Sequence, residues 1–569
     1  MLLSLGTSSR LLLELDLSRG LTDGPPGTPL DALRARHKPT MQGLVESLEK
    51  AAEDRRVVGL VLHLGAWQPS LAQSCELRAA VSRLREAGKR TVAWSESYGE
   101  MGPGNTAYHL ASACEQVWLQ PSGDLGLVGL TAQAVFVREA LDKVGVEPQL
   151  GQRHEFKTAA DTFLTSSMSG PNREMLTRLV ESATATVVAD VAASRGLDVA
   201  AVRALLDEAP LSAGRAVETG LVDRIGYRDE VYAAVRTDAA ADGDLQLLFA
   251  DRYARSDGAR AAVTRLGDRV RTGRIRDDGP VVAVVHATGP IHLGPSSASP
   301  LAGRSIGSDT LGATLRAVGR DESVRAVVLR VDSPGGSYVA SDTVRREVLA
   351  LRESGRTVVA SMGGVAASGG YFIAMPCEVV VATPGTLTGS IGVLAGKQVL
   401  RDALGRVGLR RETVSTGRFA EMFSSDRPFD EQEWERLEHW LDTVYDDFTA
   451  KAAADRGMAV EDLRAVARGR VWTGADAAAN GLVDELGGLS RAVDVACRRA
   501  GVARDSVDVR TFPRVGLVQR LVPAENSEAP AAASVGPGGL AEGLLARVLT
   551  GAGLPAYGVL TMTPSLRLV

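Results

Sequence analysis

The sequence predicts an α/β protein built from two tandem copies of one unit, each a parallel sheet covered by helices. Short aliphatic runs alternate with helical segments, a pattern typical of parallel sheets. The chain has 569 residues, more than one hydrophobic core usually supports. Residues 107–130 also match residues 370–394 at a nearly constant shift, which indicates an internal repeat.

The repeat keeps one register over a long stretch. Tyr108, Cys114, Pro121 and Gly126 each recur as the same residue type 263 positions later. Three further pairs of segments match, and they are 11–17 with 281–287, 54–64 with 321–331, and 212–226 with 472–487. Four coincidences in one register are hard to attribute to chance, so we interpret the chain as two copies of one unit.

The repeat suggests a division into domains. We expect an N-terminal domain at 1–270, a C-terminal domain at 278–500 and an extension at 501–569. The charged stretch 269–280 is expected to separate the copies, and the Ala/Pro/Gly/Ser-rich stretch 523–539 to be a linker. Between 434 and 448, apolar residues recur at three- and four-residue steps, which predicts a long helix in the second copy.

Composition narrows the class of function. The net charge is −5 and no basic stripe is interleaved with aromatic residues, so nothing favours nucleic acid as a partner. Cys75, Cys114, Cys377 and Cys497 are scattered without C-x-x-C spacing, and the seven histidines form no metal pattern. We therefore expect buried free thiols, no metal and no cofactor.

The N-terminal stretch is apolar but interrupted. Arg10, Glu14 and Asp16 break it, so it lacks the roughly 20 consecutive apolar residues that a spanning helix needs. It also lacks the basic segment and clean apolar segment of a signal peptide. Residues 11–17 are predicted to form the first strand, and we expect a cytoplasmic protein whose contact with a membrane is at most peripheral.

A serine lies at a predicted corner of the second copy. A β-branched run at 357–360 leads into a glycine-rich turn, then Ser368 precedes Gly369, Gly370 and the apolar segment 371–375. This pattern predicts a strand, a sharp turn and a buried helix that begins beside the serine. The next amide could stabilise a developing oxyanion, although an idle serine in a glycine-rich turn fits the same pattern.

A second glycine-rich turn lies upstream. The segment VDSPGGS at 331–337 ends an apolar strand in Pro-Gly-Gly. Glycines allow backbone amides to approach a ligand closely, although Pro-Gly-Gly is more often only a turn. We expect the amide of Gly335 or Gly336 and the amide of Gly369 to form an oxyanion hole.

The candidate base is a lysine rather than a histidine. His286, His292 and His439 lie in no recognisable triad context. Only seven of the 64 basic residues are lysines, and a buried lysine can become a neutral amine that accepts a proton, which arginine cannot. Lys397 and Lys451, in the same copy as Ser368, remain rival bases.

The two copies have lost complementary parts. The shift of 263 places Lys157 of the first copy opposite Ala420, and places Ser368 and Ser390 opposite Asn105 and Leu127. The first copy therefore keeps a lysine and lacks the serine, and the second copy has the reverse. We expect one complete site only where the two copies meet.

The chain resembles signal peptide peptidase A in its long form with two fused domains. That family consists of membrane-linked serine/lysine proteases related to the Clp proteolytic subunit and more distantly to crotonases. The matching motifs are D-S-P-G-G at 332–336, A-S-G-G-Y at 367–371, T-G-S-I-G at 388–392 and G-R-V-W-T-G at 469–474. The resemblance covers roughly residues 10–500.

The resemblance implies a role for each candidate residue. Ser368 would be the nucleophile and Lys157 the general base, and Ser390 would be the second serine that hydrogen-bonds to and orients the lysine amine. It also implies Clp/crotonase-like units, ring- or dome-shaped homo-oligomers, and hydrophobic peptides such as signal-peptide remnants as substrates. Two alternatives stay open, which are a crotonase-like enzyme acting on an acyl-thioester and a non-catalytic oligomeric scaffold.

Overall fold

The computed structural model describes residues 10–24, 38–239, 245–253, 279–299, 303–513 and 560–561. Most of the predicted boundary 269–280, the predicted linker 523–539 and the helical pattern that follows that linker lie outside these residues. Among the described residues, no helix combines the length and the apolar character needed to cross a membrane. The four cysteines are free, and all are buried except Cys75, which is half-buried.

The first copy folds around a six-stranded parallel sheet. Its strands are β1 Arg10–Asp16, β2 Val57–His63, β3 Arg90–Ser95, β4 Gln116–Leu119, β5 Asp124–Leu125, β6 Glu147–Arg153, β7 Leu211–Ser212, β8 Arg224–Ile225 and β9 Leu245–Phe249. Its helices are α1 Met41–Glu53, α2 Leu71–Glu86, α3 Asn105–Ala111, α4 Arg138–Val144, α5 Asp161–Leu164, α6 Gly170–Arg195, α7 Val199–Glu208, α8 Ala213–Glu218 and α9 Arg228–Ala239. The order across the sheet is β8-β4-β3-β2-β1-β9. The prediction of a strand at 11–17 is confirmed by β1.

Both faces of this sheet are covered, as its strand sequences require. Along β1, Leu11, Leu13 and Leu15 pack into the core shared with α1, α2 and α6, whereas Leu12 faces the smaller core under α9. Alternate residues of a strand point to opposite faces, so a nearly continuous aliphatic run indicates burial on both sides.

The second copy repeats this layout. Its strands are β10 Val281–Thr288, β11 Ile291–His292, β12 Ala298–Ser299, β13 Gly303–Arg304, β14 Ile306–Gly307, β15 Val324–Ser333, β16 Gly335–Gly336, β17 Thr357–Ala367, β18 Val379–Ala382, β19 Leu387–Gly389, β20 Val393–Val399, β21 Val471–Thr473, β22 Glu485–Leu486, β23 Asp508–Phe512 and β24 Leu560–Thr561. Its helices are α10 Ser308–Arg320, α11 Tyr338–Glu353, α12 Gly369–Ala374, α13 Arg401–Arg406, α14 Glu431–Arg456, α15 Val460–Val466, α16 Gly474–Ala479 and α17 Leu489–Arg499. The main sheet has the order β21-β19-β17-β15-β10-β23, and only its β19–β21 pair is antiparallel.

The two copies share individual hydrogen bonds as well as sequence. Tyr108 Oη donates to Leu221 O at 2.6 Å, and Tyr371 Oη donates to Leu482 O at 3.0 Å. Helices α6 and α14 are each 26 residues long and end at a glycine in the left-handed region. The long helix predicted from the 434–448 pattern is therefore confirmed by α14.

The copies are joined by a shared ladder and by buried polar contacts. Strand β6 of the first copy pairs antiparallel with β20 of the second over seven residue pairs. Arg330 of the second copy binds Glu76 of the first at 2.7 Å, and both side chains are 3% exposed. Glu76 also accepts a hydrogen bond from Leu489 N at 2.6 Å. These contacts fix residues of the first copy against the second sheet.

Candidate active site

Ser368 occupies a constrained corner at the end of β17. It is fully buried, caps α12, and has a φ of 55°. A non-glycine residue in the left-handed region is uncommon and persists only where surrounding structure holds it. Here the Ser368 N–H donates to Gly389 O at 2.8 Å. The strand, turn and helix predicted around this serine are present.

Lys157 reaches this corner from the first copy. The β6–β20 ladder ends with Arg153 opposite Val393, so Lys157 follows the ladder on one strand and Ser390 precedes it on the other. The lysine is 1% exposed, and its Nζ donates to Ser368 Oγ at 2.8 Å. The cross-copy ladder therefore brings together the two side chains that the complementary losses single out.

Ser390 completes the surroundings of the lysine amine. Lys157 Nζ lies 3.0 Å from Ser390 Oγ and 3.0 Å from Ser390 O. Ser390 has a φ of 51°, and its N–H donates to Arg470 O at 2.7 Å. The amine thus has three oxygen partners, and two of them belong to a residue held in a strained backbone conformation.

The environment of Lys157 favours a neutral amine. Burial lowers the pKa of the Lys157 ammonium from its ordinary 10.5 to about 7. Desolvation penalises the charged form, and no carboxylate appears among the causes of the shift to oppose it. An amine of this kind can accept a proton from a hydroxyl near neutral pH.

The two glycine-rich turns lie side by side. A Cβ placed on Gly369 would be 3.1 Å from Gly335 Cα and 3.1 Å from Gly336 N. The Gly335 N–H donates to Ser333 Oγ at 3.2 Å. Gly336 has a φ of 154° and a Cβ there would collide with Ile291 O, so the close backbone contact needs glycine. The candidate oxyanion residues are therefore adjacent, beside Ser368.

Sequence reasoning missed Gly469 as a determinant of the lysine position. Gly469 has a φ of 81°, and a Cβ on it would lie 2.5 Å from Lys157 N and 2.6 Å from Lys157 Cβ. The neighbouring carbonyl of Arg468 accepts from Phe156 N at 3.2 Å. The glycine of G-R-V-W-T-G was visible in the sequence, but its contact with Lys157 depends on how the two copies pack.

Asp332 supports the strand that leads to the serine. The β15–β17 register shifts between Val331 and Ser333, and Asp332 Oδ1 accepts a hydrogen bond from Val365 N at 3.0 Å in the resulting bulge. Burial, with a contribution from the Asp23 carboxylate of the first copy, raises the pKa of Asp332. The side chain connects the D-S-P-G-G turn to the strand three residues before Ser368.

The rival bases are engaged elsewhere. Lys397 Nζ donates to Met422 O at 2.7 Å and lies 4.1 Å from the centre of the Phe429 ring. Lys451 Nζ binds Asp342 and Asp447 at 2.7 and 2.8 Å, and these hydrogen bonds raise the pKa of its ammonium against the opposing effect of burial. A raised pKa keeps an amine charged, so Lys451 is poorly suited to accept a proton.

The candidate histidines are also placed outside this site. His286 Nε2 lies 3.2 Å from Gln42 Oε1, and His292 Nε2 lies 2.8 Å from Ser305 Oγ. His439 lies on the long helix α14. None of these contacts involves Ser368.

Comparison with known proteins identifies a family. The chain matches peptidase family S49 over residues 83–242 and 350–503. It is 34% identical to the chloroplastic serine protease SPPA of Arabidopsis thaliana, over 83% of this chain and 68% of that protein. It is 30% identical to protease 4 of Salmonella typhi, over 82% of this chain and 73% of that protein. A match to a ClpP1 mutant from Listeria monocytogenes has a TM-score of 0.23 at 16% identity, and covers 36% of this chain and 90% of that one.

Proposed function

The chain belongs to peptidase family S49 and is a serine-type peptidase, and on that premise we propose that Ser368 is its nucleophile and Lys157 its general base. The observation that carries this proposal is the 2.8 Å contact between Lys157 Nζ and Ser368 Oγ. A buried amine with a pKa lowered to about 7 can take the serine proton without a histidine. Ser390 positions the amine through its Oγ and its carbonyl.

The reaction follows from this arrangement in two halves. The neutral Lys157 amine accepts the Ser368 proton while Oγ attacks the peptide carbonyl, and the carbonyl π electrons move onto oxygen. The tetrahedral intermediate collapses to an acyl-enzyme, and the Lys157 ammonium returns its proton to the leaving amine. The amine then takes a proton from water, which attacks the ester and releases the acid and Ser368.

Two amides are proposed to stabilise the oxyanion. Gly369 begins α12, and the first N–H groups of a helix have no partner within it. Since the Gly335 N–H donates to Ser333 Oγ, we assign the second donor to Gly336, and Gly335 shapes the turn. Donors fixed in a buried site stabilise developing charge strongly because little reorganisation is needed.

Peptides are proposed to bind in extended form along the Gly335–Gly336 turn. This edge pairs antiparallel with Leu560–Thr561 of the same chain, which supports its capacity to accept an extended backbone. We propose short or unfolded hydrophobic peptides, including signal-peptide remnants, as substrates. One further similarity supports that class, since a protein of Enterococcus faecium that is 31% identical over 32% of this chain is named a putative signal peptide peptidase.

A pair of lysine variants and one serine variant test the assignment. A fluorophosphonate probe should label the wild-type protein at Ser368, identified by mass spectrometry of the labelled peptide. Ser368→Ala should lose labelling and peptide hydrolysis, and Lys157→Met should lose hydrolysis because methionine cannot accept a proton. Lys397→Met removes the other buried lysine and should remain active. Hydrolysis that survives Ser368→Ala would refute the assignment and would favour acyl-thioester chemistry, which does not need this serine.

Assembly and location complete the proposal. A peptidase with a buried site gains selectivity when its sites are enclosed, and we propose a ring- or dome-shaped homo-oligomer. We also propose a cytoplasmic location with peripheral contact to the membrane. Release of the protein from membranes by high salt would support peripheral contact, and retention after a carbonate wash would contradict it.

A further inference from the structure

The β6–β20 ladder has a counterpart in the sequence that the chain does not pair with itself. The shift of 263 maps β6 onto residues 410–416 and maps β20 onto residues 130–136. The mapping is well supported between these segments, where R-E-A-L at 138–141 matches R-D-A-L at 401–404. Helices α4 and α13 occupy matching positions, and Gly145 and Gly408 follow them with φ values of 78° and 79°.

Both counterpart segments are exposed. Residues 405–418 are all exposed, including Val407 at 72%, Leu409 at 58% and Val414 at 100%. Along 131–135 exposed and half-buried residues alternate, and Val135 is 47% exposed. Within the described part of the chain, neither 130–136 nor 410–416 forms a ladder with a strand, although Ala132 makes an isolated bridge. Exposed extended segments with apolar side chains are typical of edges that pair with another chain.

We propose that residues 410–416 of one molecule pair antiparallel with residues 130–136 of a second copy of the same chain, and that this repeats the β6–β20 ladder between subunits. The occupant is a second copy because only this chain carries the complement that the internal ladder defines. The register follows from the internal one, in which Ala395 lies opposite Gly151. The same register places Ala132 opposite Val414 between subunits.

The helices beside the ladder offer a matching second contact. Within one chain, Ala403 N donates to Gly145 O at 3.0 Å where the end of α4 meets the start of α13. The repeat maps this pair onto Ala140 N and Gly408 O. In the assembly, the Ala140 N–H of one subunit donates to Gly408 O of the next, so a ladder and a helix contact form together.

The contact is directional and therefore favours a closed ring. It joins the first copy of one subunit to the second copy of the next, so each subunit keeps one free segment of each kind until the ring closes. A two-fold dimer could not satisfy both segments in this way. The inference goes beyond the proposed function, because it does not depend on which residues catalyse.

The same mapping explains why each copy has lost different parts. At the junction between subunits, the position of Lys157 is held by Ala420, and the positions of Ser368 and Ser390 are held by Asn105 and Leu127. That junction therefore lacks base and nucleophile, whereas the junction within each chain has both. The ring would alternate complete and incomplete sites, with one complete site for each subunit.

Disulfide cross-linking of the full chain tests the register. Opposed residues of an antiparallel pair have Cα atoms about 4.5–5.5 Å apart, within the range that a disulfide spans. Ala132→Cys combined with Val414→Cys should give a ladder of covalent oligomers on non-reducing gels. A mixture of the two single variants should give a heterodimer, and each variant alone should give none. Light scattering of the wild-type protein should report an oligomer.

An off-register pair is the matched control. Val135→Cys combined with Val414→Cys lies three residues out of register, about 10 Å along the strand, and should not cross-link. Equal cross-linking of this pair would overturn the proposal. So would a covalent dimer of either single variant, which indicates a two-fold contact, or a wild-type protein that is monomeric at tens of micromolar. These readouts do not use peptidase activity, so they can fail or succeed independently of the proposed chemistry.

Discussion

The buried amine of Lys157 should set the pH dependence of peptide hydrolysis. With its pKa at about 7, about half of the amines are neutral at pH 7, whereas an ordinary pKa of 10.5 would leave about 0.03% neutral. If the neutral amine is the base, kcat/KM should rise about tenfold per pH unit below pH 7 and level off above it. The burial of one side chain thus accounts for activity at neutral pH.

The same shift predicts the sign of a stability effect. Between pH 7 and 10.5 the unfolded chain holds a proton on Lys157 that the folded chain does not. The free energy of unfolding therefore rises with pH across this window, by about 5 kcal/mol for a shift of about 3.5 pKa units. Lys157→Met fills a similar volume without an ionisable group and should lack this rise.

Two measurements on matched proteins check both effects. The first is kcat/KM for a fluorogenic peptide between pH 5 and 10. The second is the difference in free energy of unfolding between the wild type and Lys157→Met at several pH values, which cancels the titration of other groups. His154→Gln is the control, because His154 is near in sequence and its pKa is lowered by burial. This variant should keep the inflection near pH 7.

Two results would refute the reasoning about Lys157. One is a rate profile whose basic limb has its inflection near pH 10, which would mean that the amine keeps its ordinary pKa. The other is a difference in unfolding free energy that does not change between pH 7 and 10.5. Loss of the inflection in His154→Gln would move the titrating group from the lysine to that histidine.

Three further substitutions have expected outcomes. Ser390→Ala removes one hydrogen bond to Lys157 Nζ and should lower kcat/KM about tenfold in a folded protein, and an unchanged rate would show that the Ser390 carbonyl suffices. Gly469→Ala places a Cβ against the Lys157 backbone and should abolish hydrolysis, whereas Gly355→Ala, at a similar φ of 83° but in open space, should cost only about 1–2 kcal/mol of stability and stay active. Arg330→Met leaves Glu76 buried without its partner and should lower the free energy of unfolding by about 3–5 kcal/mol in denaturant titrations, and Glu76→Gln in the same protein should restore part of that loss.

Much of the fold could be predicted from local patterns. The strand at 11–17, the buried helix after Ser368 and the long helix around 434–448 follow from periodicity, because burial of one face or both faces imposes a regular spacing of apolar residues. The duplication could be predicted because both copies keep the same residues at a fixed shift. The serine peptidase class could be predicted from motifs at the ends of strands, and the family match confirms it.

The supporting residues could not be predicted in the same way. Nothing local to Gly469 indicates that it lies against Lys157, which is more than 300 positions earlier in the chain. Asp332 belongs to a visible motif, yet its bond to Val365 N depends on a register shift between β15 and β17. Such contacts are set by how strands and copies pack, and packing is not encoded in a short window.

By itself the sequence determined that two copies of one α/β unit have lost complementary residues, since that statement needs only a register and residue identities. Only the tertiary structure decided that Lys157 and Ser368 lie 2.8 Å apart, because the β6–β20 ladder joins segments some 240 positions apart along the chain. It also decided that the lysine amine is buried, and burial alone lowers its pKa enough for it to accept a proton.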